Sequence, residues 1–161
     1  MGSDFNLVDS IQDEIAANGW TVRYEHDDPS GFPYAYTIGL SQFALPEILC
    51  FGLDGPQSAD LLHRVALRAL ETILAPNAAY PLVHGTVMAD LFGDGFPTAV
   101  VEVDDPSTHL MIAQTLYEEG TPLRAVQLCF PDAEWLWPWH EKSAVFGELP
   151  LLGQPPRHLA P

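Results

Sequence analysis

The chain of 161 residues carries 22 acidic and 6 basic side chains, a net charge of −16 with histidine neutral. A surface of that sign repels phosphate backbones, which excludes nucleic acid as an expected ligand. Apolar residues make up 47% of the chain, enough for one domain that buries about 70% of its unfolded surface, and the 15 Pro and 12 Gly predict short elements joined by structured turns.

Phe5, Leu7, Val8, Ile11 and Ile15 recur at helical spacing, which predicts a helix over 4–18 ended by Gly19. Trp20, Val22 and Tyr24 then alternate with Thr21, Arg23 and Glu25 as a half-buried strand, and residues 26–31 are dense in turn formers. Strands follow at 34–39 and 47–52. Gly55-Pro56 opens a second helix, with Leu61, Leu62, Val65, Ala69, Leu70 and Ile73 on its buried face and Asp60, Arg64, Arg68 and Glu71 as a charged stripe. A strand is expected at 85–90 and a hairpin turn at 92–97 leading into a strand at 98–103. Asp105-Pro106 caps a third helix running to about Glu119, and 125–130 is a further strand. A Trp- and Pro-rich segment and a flexible tail, 154–161, complete the chain.

The short links at 26–33 and 40–46 favour antiparallel neighbours. The expected fold is therefore α+β: one compact domain over 1–153, with a mixed, mainly antiparallel sheet of five or six strands and three helices. Cys50 and Cys129 sit in apolar strands, where buried free thiols are the usual outcome and a single disulfide is the alternative. The N-terminus shows no basic region followed by an apolar one, and no run approaches about 18 apolar residues, so a cytoplasmic protein that neither enters nor crosses a membrane is expected.

The spacing of the six His argues against a metal site. Nucleophile elbows and phosphate loops are missing, so no cofactor is expected. Three constellations carry chemistry. His109 shares a helical stripe with Ile112, Ala113 and Leu116, and fits a core histidine or an acid–base group. Arg124 and Gln127 are polar in an apolar strand; Arg124 either pairs with Glu102 or Asp132, or offers its planar fork to a ligand carboxylate. Trp135, Trp137 and Trp139 share one face if extended, as a core lid or the aromatic wall of a pocket.

Several stretches resemble one family: Gly19-Trp20 with Val22, Phe32 through Leu40, Leu45 through Leu49, Gly52-Leu53, Val101 to Val103, His109-Leu110, Tyr117, Arg124 through Leu128, Asp132, Trp137 to Trp139, and Leu149 through Gly153. In order and spacing they resemble DUF4262, a bacterial domain of unknown function, over about residues 11–153. Near its end the chain departs from the family pattern, with Glu148-Leu-Pro150 in place of a Gln-Pro pair. The resemblance implies a bacterial cytoplasmic protein of one α+β domain and brings no reaction or catalytic residue. Tyr36, Thr37, Glu47, His109, Arg124, Gln127, Asp132, Trp137 and Trp139 are polar or aromatic and also fall inside the matching stretches, and they form the candidate pocket.

Two functions from different classes follow. The first is a binding protein that neutralises a basic protein partner through its acidity. The second is a small enzyme or small-molecule binder whose pocket joins Arg124, His109 and the Trp-rich segment around a small anionic ligand. Self-association into a homodimer is the remaining alternative.

Overall fold

The helix expected to open at Gly55-Pro56 forms with Pro56 in its first turn, and the Asp54 side chain before it accepts the Gln57 amide at 2.8 Å as a cap. In the computed structural model, which describes residues 2–26, 28, 31–117 and 122–159, this helix, α2, spans Gly55–Leu74. It follows α1 (Gly2–Asn18) and precedes α3 (Met111–Leu116). The strands are β1 (Thr21–Glu25), β2 (Tyr34–Ile38), β3 (Glu47–Phe51), β4 (Val87–Met88), β5 (Thr98–Glu102) and β6 (Ala125–Cys129). They form one six-stranded sheet in the order β1-β2-β3-β6-β5-β4. Neighbours are antiparallel except β3 and β6, which run parallel with Glu47 opposite Ala125. The α+β expectation holds.

The sheet is covered on both sides, which explains why its middle strands read as unbroken apolar runs. On one face Ala35, Ile48, Cys50, Val100, Val126 and Leu128 pack against Leu61, Leu62, Val65, Ala66 and Ala69 of α2. On the other, Tyr34, Tyr36, Ile38, Leu49 and Phe51 meet Ile11 of α1 and Ala113 of α3. The β3–β6 register sets Cys50 opposite Leu128, so Cys129 falls on the reverse face, and both thiols are free and buried.

Several expectations change. Ile73 is 53% exposed rather than part of the buried face of α2. On the charged stripe Arg64 does pair with Asp60, but Arg68 reaches across to Asp90 with a two-pronged bond at 2.8 and 2.9 Å. The strand expected at 85–90 shrinks to Val87–Met88. The helix expected from Asp105 is broken: a short turn, Pro106–Thr108, is followed by Leu110 at φ −100°, ψ 50°, before α3 begins. Asp105 accepts the hydroxyls of Ser107 and Thr108 and caps no backbone amide. The expected end of that helix lies outside the described residues.

The segment expected as a flexible tail packs on the sheet as far as it is described. Trp139 donates its indole N–H to the Leu159 carbonyl at 3.0 Å, and His158 lies 2.9 Å from the Gly85 carbonyl. The domain's packing therefore continues past residue 153. Among the described residues no helix is long and apolar enough to cross a membrane.

Candidate functional site

Glu47 opens β3 with its side chain fully buried. Buried carboxylates persist only when hydrogen-bonded, and Glu47 accepts five such bonds. Oε1 takes the amides of Gly39 and Ser41, the Ser41 hydroxyl and the Tyr117 phenol, and Oε2 takes the Thr37 hydroxyl at 2.6 Å. Thr37 in turn accepts the Ile48 amide at 2.9 Å. Burial pushes the Glu47 carboxyl above its ordinary value, and the bonds from Thr37, Tyr117, Ser41 and Gly39 pull the other way. Burial and the neighbouring Glu47 push the Tyr117 phenol up as well.

This knot positions a second group. The Glu47 amide donates to the Arg124 carbonyl at 2.9 Å, fixing the start of β6 against the start of β3. The turn that Glu47 ties down, Leu40–Phe43, ends at Ala44, whose carbonyl lies 3.4 Å from Arg124 Nη2. Arg124 is thus placed from its backbone and from its tip, yet its side chain is exposed and belongs to none of the ion pairs among the described residues.

The guanidinium lines a cleft of about 280 Å³ with Pro46, Tyr80, Leu82, His84, Glu102 and Val126. The volume falls just below the roughly 300–1,000 Å³ usual for ligand clefts, which suits a small molecule. Three polar groups besides Arg124 face it. His84 Nδ1 accepts the Glu102 amide at 2.9 Å, so the ring proton sits on Nε2 and is available to donate. Burial raises the Tyr80 phenol's pKa, and the positive charge of Arg124 opposes the rise, as expected for neighbours. Glu102 supplies the one carboxylate of the lining.

The other candidate residues are dispersed. His109 lines a different cleft with Glu25, Tyr34, Tyr36, Met111 and Ile112. Its Nε2 stands 3.2 Å from Asp28, and its ring meets Tyr34 and Phe51 edge-on. The Tyr34 phenol donates to the His109 carbonyl at 2.8 Å and is pushed up to about 12 by burial. Tyr36 is buried beside it in the core. Thr37 and Glu47 meet in the knot.

Gln127 is buried and holds the 150–152 segment from both ends, donating to the Pro150 carbonyl and accepting the Leu152 amide. Asp132 accepts the amides of Glu134, Leu136 and Ala144, closing its own loop; Arg124 pairs with neither Asp132 nor Glu102. The three tryptophans do not share a face. Trp135 turns out at φ 64° toward Phe96, whereas Trp137 and Trp139 stack at 5.4 Å against Leu151 and Leu159. The expected pocket of Arg124, His109 and tryptophans therefore dissolves into a histidine cleft, a tryptophan lid and the arginine cleft.

Tyr80, His84, Glu102 and Tyr117 complete the arrangement, and none of them belongs to the candidate pocket expected from the sequence. Tyr80 and His84 lie in a stretch without periodicity, where position on a face is unreadable. Tyr117 and Glu102 do fall within the family stretches. Among the described residues no three His, Cys, Asp or Glu side chains converge as metal ligands.

No curated protein and no solved structure matches the chain. Residues 14–144 match the family described as a domain of unknown function, DUF4262, and this span reaches from the last turn of α1 past the tryptophan lid. It contains the Glu47 knot and every residue named in the arginine cleft. The chain belongs to the DUF4262 family.

Proposed function

We propose that the protein is a small-molecule-binding protein and that its ligand is a small anion, a carboxylate foremost, held by Arg124. One observation carries this reading. In a chain with a net charge of −16, an exposed guanidinium stands in a cleft with no carboxylate of the described residues at ion-pair distance. Surplus acid elsewhere would satisfy such a cation readily, and arginine's planar fork is shaped for a carboxylate. His84 Nε2–H and the Tyr80 phenol add neutral donors that cost no extra charge. The reading assigns binding and no reaction.

The test is a thermal-shift series with short carboxylates on the wild-type chain and on Arg124→Met. The reading expects stabilisation of the wild type that rises with ligand concentration and is lost in the variant. Equal shifts in both proteins would rule Arg124 out as the anchor.

A second reading, neutralisation of a basic partner protein, is favoured by the net charge alone. It expects capture of a basic protein at low salt and its release as salt screens the field. A low-salt screen that recovered nothing basic would remove it. We also propose the bacterial, cytoplasmic setting that the family resemblance implies; two free, buried cysteines support the cytoplasmic part of it.

A further inference from the structure

The arginine cleft holds charges of both signs in a fixed relationship. On β5 the residues Val100 and Glu102 share a face, and on β6 the residues Val126 and Leu128 continue that face back to Arg124. The register sets Glu102 opposite Val126 and Val100 opposite Leu128. Glu102 and Arg124 are therefore diagonal neighbours on one face, a relationship that spaces Cα atoms by about 7–8 Å. They lie within the same cleft, yet they are not among the ion pairs of the described residues.

The main chain at Glu102 is held on both sides. Its amide donates to His84 Nδ1, and its carbonyl abuts Gly153, where an added Cβ would lie 1.9 Å from the carbonyl oxygen. Apart from Tyr80 and His84, the rest of the cleft's lining is apolar: Pro46, Leu82, Val83, Ala125 and Val126.

We propose that the cleft takes a small zwitterion, a free α-amino acid with an aliphatic side chain, with its carboxylate on Arg124 and its ammonium on Glu102. This rests on the anion-binding reading above and adds a second charge to it. A carboxylate alone leaves Glu102 facing another anion. An amine alone leaves Arg124 facing a cation. A zwitterion neutralises both groups and lays its side chain on the apolar wall, and a cleft of about 280 Å³ has room for one amino acid.

The experiment is isothermal titration of the full chain with three probes: L-leucine, N-acetyl-L-leucine, which keeps the carboxylate and loses the ammonium, and 3-methylbutylamine, which does the reverse. Each is titrated into wild type, Glu102→Gln and Arg124→Met, both substitutions being at exposed side chains. The proposal expects leucine to bind the wild type at least ten-fold more tightly than either analogue. It expects Glu102→Gln to lose at least ten-fold for leucine but not for N-acetyl-leucine, and Arg124→Met to lose both.

If N-acetyl-leucine binds wild type as well as leucine does, and Glu102→Gln changes neither, the zwitterion is wrong and the anion site stands. If no probe carrying a carboxylate binds, or Arg124→Met is indifferent, both readings fail. In that case a double-mutant stability cycle showing favourable coupling between Glu102 and Arg124 would identify them as a structural pair instead.

Discussion

The Tyr117 phenol donates to Glu47 Oε1 at 2.5 Å across 70 residues of chain, and the same phenol oxygen accepts the Gly39 amide at 2.7 Å. That single hydroxyl joins the end of α3, the turn after β2 and the buried acid that opens β3. Because the Glu47 amide holds the Arg124 carbonyl, the knot also sets the backbone from which the cleft's cation projects. The interior acid is thus best understood as support for the surface arginine.

Tyr117→Phe removes one donor from a buried carboxylate and one acceptor from the Gly39 amide while keeping the ring. Hydrogen bonds to charged groups contribute about 1.5–3 kcal/mol each, so a loss of about 2 kcal/mol is expected in urea unfolding. A midpoint equal to wild type would show that water replaces the phenol at no cost.

The pH dependence of Glu47 has a definite sign. Burial raises its folded value, so the folded chain holds that proton more tightly than the unfolded chain, whose glutamates titrate near about pH 4.3. The resulting stability is whole below the unfolded value and is lost as pH rises through the folded one. Comparing wild type with Glu47→Gln cancels the other carboxylates. The unfolding free energy of wild type minus that of the variant should fall as pH rises from about 4 toward neutrality. A difference that grows with pH would mean that the five hydrogen bonds outweigh burial.

Gln127→Leu keeps the volume of a buried strand residue but abandons the Pro150 carbonyl and the Leu152 amide. Two backbone groups left without partners make a loss of about 2–4 kcal/mol the expected outcome. Faster hydrogen exchange at the Leu152 amide should accompany it. Unchanged exchange there would mean that the 149–153 segment is held by its leucines alone.

Gly153→Ala places a methyl group where the Glu102 carbonyl already stands, 1.9 Å from its oxygen. The neighbour is backbone and cannot rotate away, so about 1–3 kcal/mol of destabilisation or more is expected. Because the displaced strand end carries Glu102, leucine binding should weaken in the same variant. Wild-type stability in thermal unfolding would contradict the close approach.

The local features were legible wherever a short stretch decides its own structure. Gly55-Pro56 marks a helix start by chemistry alone, and the alternation of Tyr34, Tyr36 and Ile38 puts all three in one core cluster. The pairing of β3 with β6 was not legible, because two strands buried on both faces read as apolar runs that name no partner. Asp105 misled in a specific way: the neighbouring Ser107 and Thr108 hydroxyls take both its oxygens, and the helix it should have started breaks at Leu110. Arg124 stood out as a cation at the start of an apolar strand. Its companion His84 did not, since it arrives on a non-periodic segment that the sheet's register alone brings alongside.

The most direct test of the arginine cleft is an amide chemical-shift titration of the full chain with acetate at constant ionic strength. Saturable shifts concentrated at Tyr80 through His84, Glu102 and Arg124 through Val126, and abolished by Arg124→Met, are expected. Shifts centred instead on the His109 cleft or the Trp137–Trp139 stack, or none that saturate, would contradict it.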